Sequence, residues 1–404
     1  MKFILKIFFA LLPCLALAEA RELEPKLNKF EAGIIKDASA EKDAVARAKI
    51  FEQALESDSA SAGLFFNAAN AFANLENYDK AKRYYDKALE ILPSFYLARR
   101  NLAYIYFNQK NWVAACENFS KALELSQEEA KKILPAISQC HFELGRYAEA
   151  LTSVENALAL QSLDDENLLK LKALCLRELK DSAKLRDTCT KLISISPRNS
   201  LYWRLLAGLN IDQKNYDEAI SILEAMRNLK IAEPKDNELL ADLYMQQSMF
   251  KKACELYLKM PLDSGKAYKI GLVLAYRGMR SEASNFLQNL SKDSAEYWEL
   301  LATIKIQSSQ DARAELEKAY AKNPLNQRIA IMLADAMLEN KGFEQAELLY
   351  KNSANDYPLE SALGLAKILT LKGKYADAAS LLRDCAQKLN KPELLKYAEK
   401  LESL

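Results

Sequence analysis

One histidine in 404 residues leaves this chain almost without the side chain that most often moves protons or binds metals near neutral pH. That residue, His141, is read as a packed or capping side chain rather than a base. There is no Cys-x-x-Cys pair, no glycine-rich phosphate loop and no strand–turn–helix nucleophile elbow. Glycine and proline, ten of each, are too sparse for a long linker or tail. Charge of one sign is missing as well. The 56 Lys and Arg face 55 Asp and Glu with no run of either, so no basic stripe exists for nucleic acid. No window alternates with period two for the length of a strand. The expectation is an all-α chain that is not an enzyme, with no catalytic residue, no cofactor and no metal.

A long apolar span is also lacking. Lys2 and Lys6 precede an apolar run from Ile7 to Leu17, which ends in Ala16-Leu17-Ala18 and Ala18-Glu19-Ala20. The run is shorter than the roughly 20 residues a spanning helix needs. It reads as a cleavable secretory signal, cut after Ala20 in preference to Ala18, giving a periplasmic or secreted protein that starts at Arg21. The alternatives are an uncleaved anchor and a lipoprotein acylated at Cys14. Losing residues 1–20 removes Lys2, Lys6 and Glu19, which leaves cationic and anionic side chains equal in number.

What the chain does have is a repeat of roughly 34 residues from Ala62 to its C-terminus. Two successive copies read NYDKAKRYYDKALEILP and NWVAACENFSKALELS. An aromatic (Tyr78, Trp112) is followed by Ala (Ala81, Ala115), a second aromatic (Tyr85, Phe119) and another Ala (Ala88, Ala122), all on one helical face. Each such helix follows another apolar-periodic segment, so the unit is a helical hairpin. A single hairpin cannot bury its own apolar face; stacked hairpins can. Anchoring on the small residue gives Ala81, Ala115, Ala150, Leu185, Ala219, Ala253, Ala283, Ala312, Ala346 and Ala378. The steps on either side of Ala283 shrink to 30 and 29 residues, which predicts shorter helices or loops there. Gly145, Lys214-Asn215, Gly342 and Gly373 mark expected hairpin turns.

These residues resemble the tetratricopeptide repeat. Phe65, Ala68, Ala69, Phe72, Ala81, Tyr85, Ala88 and Pro93 fall on that family's pattern, with Ala68 where it has Leu. The copy from Ser200 keeps Trp203, Leu206, Ala207, Ala219 and Leu223. The resemblance implies a right-handed superhelical solenoid of about ten stacked hairpins, closed by a polar-faced C-terminal capping helix. The expected divisions are a leader (1–20), a degenerate first repeat (21–61), an N-terminal array (62–262), a C-terminal array with shortened repeats (263–390) and the cap (391–404).

The same resemblance implies a non-catalytic protein-interaction scaffold of the cell envelope, binding a peptide or protein segment in a concave groove. The alternative is an accessory subunit that positions an envelope or glycan-processing enzyme. The groove positions carry Phe66, Asn67, Asn70 and Asn74 in one copy, Arg100, Asn101 and Asn108 in the next, and Lys132 after that. Asparagine both donates and accepts, which suits an extended backbone, and Arg100 and Lys132 suit a carboxylate. Asn70, Asn101 and Lys132 match part of the family's carboxylate clamp; Phe66 and Ala136 stand where it has Lys and Arg. In the C-terminal half the groove positions turn apolar, with Tyr268, Leu272, Tyr276, Ile306, Met332 and Leu363 beside Asp335. They either hold an apolar segment of a partner or are buried by tight coiling. Six cysteines follow the leader. The family's geometry sets Cys116 and Cys140 near one level, as a disulfide or as two small buried side chains.

Overall fold

The computed structural model describes residues 25–56, 60–161, 164–339 and 341–403. The expected leader, its cleavage sites, Arg21 and Cys14 lie outside them. Every regular element among the described residues is helical. The chain divides into two compact units, one ending at Asn215 and the other starting at Tyr216.

Unit 1 opens with α1 (Lys29–Ala40) and α2 (Ala44–Ala54). Buried Glu31 ties this pair to the next repeat, because its Oε1 accepts the Ser61 N–H at 2.8 Å. Arg47, standing where the repeat wants a small residue, turns outward to donate to the Glu41 carbonyl at 2.7 Å. Four hairpins follow: α3 (Ala62–Asn74) with α4 (Tyr78–Ile91), α5 (Tyr96–Asn108) with α6 (Trp112–Leu125), α7 (Ala130–Glu143) with α8 (Tyr147–Ala159), and α9 (Glu166–Glu178) with α10 (Ser182–Ile195). Helix α11 (Ser200–Asp212) ends the unit.

Unit 2 starts with α12 (Tyr216–Asn228). Its hairpins are α13 (Pro234–Gln246) with α14 (Phe250–Tyr257), α15 (Ser264–Tyr276) with α16 (Arg280–Ser284), α17 (Ala295–Gln307) with α18 (Arg313–Lys322), α19 (Gln327–Glu339) with α20 (Phe343–Ser353), and α21 (Pro358–Leu371) with α22 (Tyr375–Leu389). Helix α23 (Glu393–Glu402) closes it, with Lys396, Glu399 and Lys400 exposed. The shortened steps have a plain cause: α14 has eight residues, and α16 has five before a 3-10 turn over Asn285–Asn289.

The hairpins repeat one local solution. A residue with φ between +56° and +77° ends the first helix: Glu76, Lys110, Gly145, Lys180, Lys214, Ser248, Gly278, Ser309, Lys341 and Gly373. The N–H of the following residue then reaches five positions back, as from Asn77 to the Phe72 carbonyl (3.0 Å) and from Asn111 to that of Tyr106 (2.9 Å). Carbonyls left free at the helix end are thereby satisfied. Asn77, Asn111 and Asp181 next cap the second helix with their side chains, at 3.3, 3.3 and 3.2 Å. Gly342 is not the turn residue; its φ is −81°, and Lys341 takes the left-handed place.

All ten anchor residues from Ala81 to Ala378 are buried, which lets the paired helices approach closely. A second regularity crosses the hairpin. Tyr85 donates to Asn70 Oδ1 at 2.5 Å, Tyr350 to Asp335 Oδ1 at 2.5 Å, and Tyr257 to Asp242, in each case fifteen residues back. Where Phe119 replaces the tyrosine, the facing position is Tyr104, packed edge-on at 4.8 Å. Gly364 is required beside this link, because a Cβ there would sit 2.2 Å from the Tyr350 ring.

Candidate functional site

In unit 1 the groove residues meet, but largely each other. Asn70 Oδ1 accepts both the Tyr85 hydroxyl and Asn101 Nδ2, the latter at 2.9 Å. Arg100 donates to Asn101 Oδ1 at 3.3 Å and, through its other terminal nitrogen, to Glu129 Oε2 at 2.7 Å. Lys132 completes the chain on Glu129 Oε1 at 3.0 Å. Glu129 is buried, in a 3-10 turn just ahead of α7. Burial works against its charge, yet the bonds from Lys132 and Arg100 outweigh it and hold the carboxyl below its ordinary value. Burial pushes the Tyr85 phenol up to about 12, so it stays a donor. The two cations suited to a partner's carboxylate therefore already share an internal one.

The remaining unit 1 positions divide. Phe66 packs on Phe95 at 4.8 Å and on Tyr85 at 6.0 Å, so it is part of the stack. Asn67 donates back to the Gly63 carbonyl at 2.8 Å, while Asn74 and Asn108 are exposed.

Cys116 and Cys140 are not bridged; both are free, buried thiols, like the other four described cysteines. The Cys116 sulfur faces the His141 ring, 3.5 Å from Nε2, and burial pushes the Cys140 thiol up to about 12. Burial also lowers the His141 pKa, which keeps the ring neutral.

Unit 2 is built differently. Tyr268 and Leu272 turn into the stack: Leu272 is buried, and the Tyr268 hydroxyl donates to Glu299 Oε2 at 2.6 Å. Glu299 is 1 % exposed, and its other oxygen lies 3.3 Å from Arg328 Nε. Arg328 lies over the Tyr276 ring at 5.4 Å and donates to its hydroxyl at 2.8 Å. That contact sets Tyr276 as one wall of a groove of about 1010 Å³, where Ile306, Met332 and Leu363 also lie. Four of the six expected apolar residues thus line the groove, and Tyr268 and Leu272 are taken up by the fold. Tyr276, Ile306 and Leu363 are 51, 41 and 43 % exposed. Asp335, Glu339 and Glu360 line the same groove.

Glu129, Glu299 and Arg328 were not legible as groove determinants. The fifteen-residue spacing of Tyr85 from Asn70 and of Tyr350 from Asp335 was present in the sequence and would have located two of the acceptors.

With this geometry in place, the comparisons with known proteins fall on the repeat. Residues 62–95, which are α3, α4 and the loop after them, match the family model described as tetratricopeptide repeat. The human protein O-mannosyl-transferase TMTC1 is 26% identical over 169 residues, 40% of this chain and 18% of that protein. The mouse N-alpha-acetyltransferase 16, NatA auxiliary subunit, is 31% identical over 169 residues, 38% of this chain and 19% of that one. This chain therefore spans about a fifth of the length of those curated relatives. Among solved structures, YrrB, titled a TPR protein with an unusual peptide-binding site, aligns at 20% identity and a TM-score of 0.40, over 45% of this chain and 92% of its own. The Cut9–Hcn1 structure aligns at 13% and 0.36, over 96% and 98%.

Proposed function

We propose that this tetratricopeptide-repeat chain is a non-catalytic interaction scaffold of the cell envelope that docks a protein or peptide segment in the groove of unit 2. The observation carrying this reading is that groove, where Tyr276 on α15, Ile306 on α17 and Leu363 on α21 stand exposed and Met332 on α19 joins them in the lining. An exposed apolar surface of this kind marks an interaction site more often than it marks chemistry. The polar clusters support the reading, because Glu129 and Glu299 are each held by cations of the fold itself. Among the described residues, no three His, Cys, Asp or Glu side chains gather as a metal site, and no helix is long and apolar enough to cross a membrane.

Crosslinked pull-down from the envelope fraction tests the proposal, using the exported chain and its Met332→Glu variant. A protein captured by the first and lost from the second is expected; an unchanged set of captured proteins contradicts the groove. N-terminal sequencing tests the export: Arg21 is the expected first residue, and a retained Met1 or an acylated Cys14 contradicts it. The names of two relatives, a transferase and an acetyltransferase auxiliary subunit, favour a second reading in which the partner is an enzyme that the scaffold positions. A catalytic subunit co-purifying in stoichiometric amount supports that reading.

A further inference from the structure

The groove of unit 2 has an unbalanced charge in a chain whose formal net charge is only +1. Asp335 and Glu339 are four residues apart on α19, so about one turn separates them along one wall. Glu360 adds a third carboxylate from the first turn of α21, and Asp311, which accepts the Arg313 N–H at 2.9 Å, is a fourth on the lining. Lys367 is the single cation among the groove's lining residues, and no ion pair closes on Asp335, Glu339 or Glu360 among the described residues. Three of the more buried carboxylates elsewhere in unit 2 are matched: Glu315 has Lys305 at 2.7 Å, Glu299 has Arg328, and Glu347 has Lys351 and Lys372 at 2.7 and 2.9 Å.

One of the three carboxylates is also held in place. Asp335 is fixed by the hydroxyl of fully buried Tyr350, whose ring is seated against Gly364. Burial raises the Asp335 pKa, and Glu339 and Glu360 raise it further against the opposing influence of Tyr350 and Lys367. A cation brought among the three would relieve that repulsion. Ile306, Met332 and Leu363 line the same groove and give it an apolar floor that a charged ligand alone would leave uncovered.

We propose that the occupant of this groove is a cationic amphipathic segment of a partner protein, with apolar side chains on the Ile306–Met332–Leu363 floor and Lys or Arg set against Asp335, Glu339 and Glu360. The inference rests on the groove reading above and adds the chemistry of the partner. Apolar contact supplies the area, and the carboxylates select sign and register. A segment bearing Asp or Glu at the same places meets three like charges and is rejected.

The test is fluorescence anisotropy with two labelled peptides of about 14 residues, roughly four helical turns, with Leu on one face and either Lys or Glu on the other. The full exported chain should bind the Lys peptide and not the Glu peptide. Asp335→Asn with Glu339→Gln and Glu360→Gln should weaken the Lys peptide by about tenfold or more and flatten its salt dependence. Asn keeps an acceptor for Tyr350, so folding is preserved, and far-UV circular dichroism checks it. Glu344→Gln, an exposed carboxylate on α20, should change nothing. Equal binding of both peptides, or full affinity after the triple substitution, overturns the charge inference. If Met332→Glu then still abolishes binding, the groove reading survives alone; if it does not, both fail.

Discussion

The two units use the same hairpin and treat their charges in opposite ways. In unit 1 the groove-facing polar residues form a closed chain from Tyr85 through Asn70, Asn101 and Arg100 to Glu129 and Lys132, crossing three successive hairpins. In unit 2 the comparable chain, Tyr268–Glu299–Arg328–Tyr276, starts from buried Glu299 and ends at exposed Tyr276 in a groove whose Asp335, Glu339 and Glu360 have no ion pair. The first arrangement joins neighbouring repeats; the second keeps a surface free for another molecule. Position in the repeat therefore does not fix a residue's role. What decides it is whether the fold supplies the opposite charge.

The largest expected effect tests the sunken network. Arg328→Ala removes the cation beside nearly inaccessible Glu299 and should destabilise the protein by about 3 kcal/mol, measured by urea unfolding. Arg100→Ala should cost much less, because Glu129 keeps Lys132. Equal losses would erase the difference between the units. Next comes Asn70→Ala, which deprives the buried Tyr85 hydroxyl of its acceptor and should cost about 1–3 kcal/mol. No loss of stability would return Asn70 to the pool of side chains available to a ligand.

A smaller effect concerns the turns. Lys180 occupies a left-handed conformation at φ +58°, and Gly145 the same place at +72°. Lys180→Gly should stabilise by about 1 kcal/mol and Gly145→Ala should destabilise by a similar amount. A shift of either in the reverse direction would show that side-chain contacts outweigh the backbone there.

The smallest effect is the pH response of His141. Its folded pKa lies below the ordinary 6.5 because of burial, so the unfolded chain binds the proton more readily. The stability contribution is present above that value and is lost as pH falls through it. Between pH 7 and 5 the native protein should therefore lose more stability than His141→Gln, read as the difference in urea midpoints.

Much of the fold was legible because it rests on short-range periodicity. The ten small anchors are buried as their spacing requires, and the shortened steps around Ala283 correspond to truncated α14 and α16. The turns were less legible. The spacing pointed to Gly342, yet Lys341 adopts the left-handed geometry, since seven of the ten turns accept a residue with a side chain. The groove was half legible. Counting repeat positions found Asn70, Asn101, Arg100 and Lys132 as neighbours, but not Glu129, which lies before the helix in a turn that the counting skips. It likewise set Tyr268, Leu272 and Tyr276 on one stripe of α15. That stripe runs from the packed interior to open surface, where Arg328, 52 residues away, holds Tyr276.

Site-specific photocrosslinking compares the two grooves most directly. A photoreactive phenylalanine analogue is placed at Met332 in unit 2 or at exposed Asn108 in unit 1, and adducts are captured from intact cells. The account predicts a discrete adduct from position 332, abolished by the triple neutralisation of Asp335, Glu339 and Glu360, and none from position 108. An adduct from position 108 with none from position 332 would contradict it.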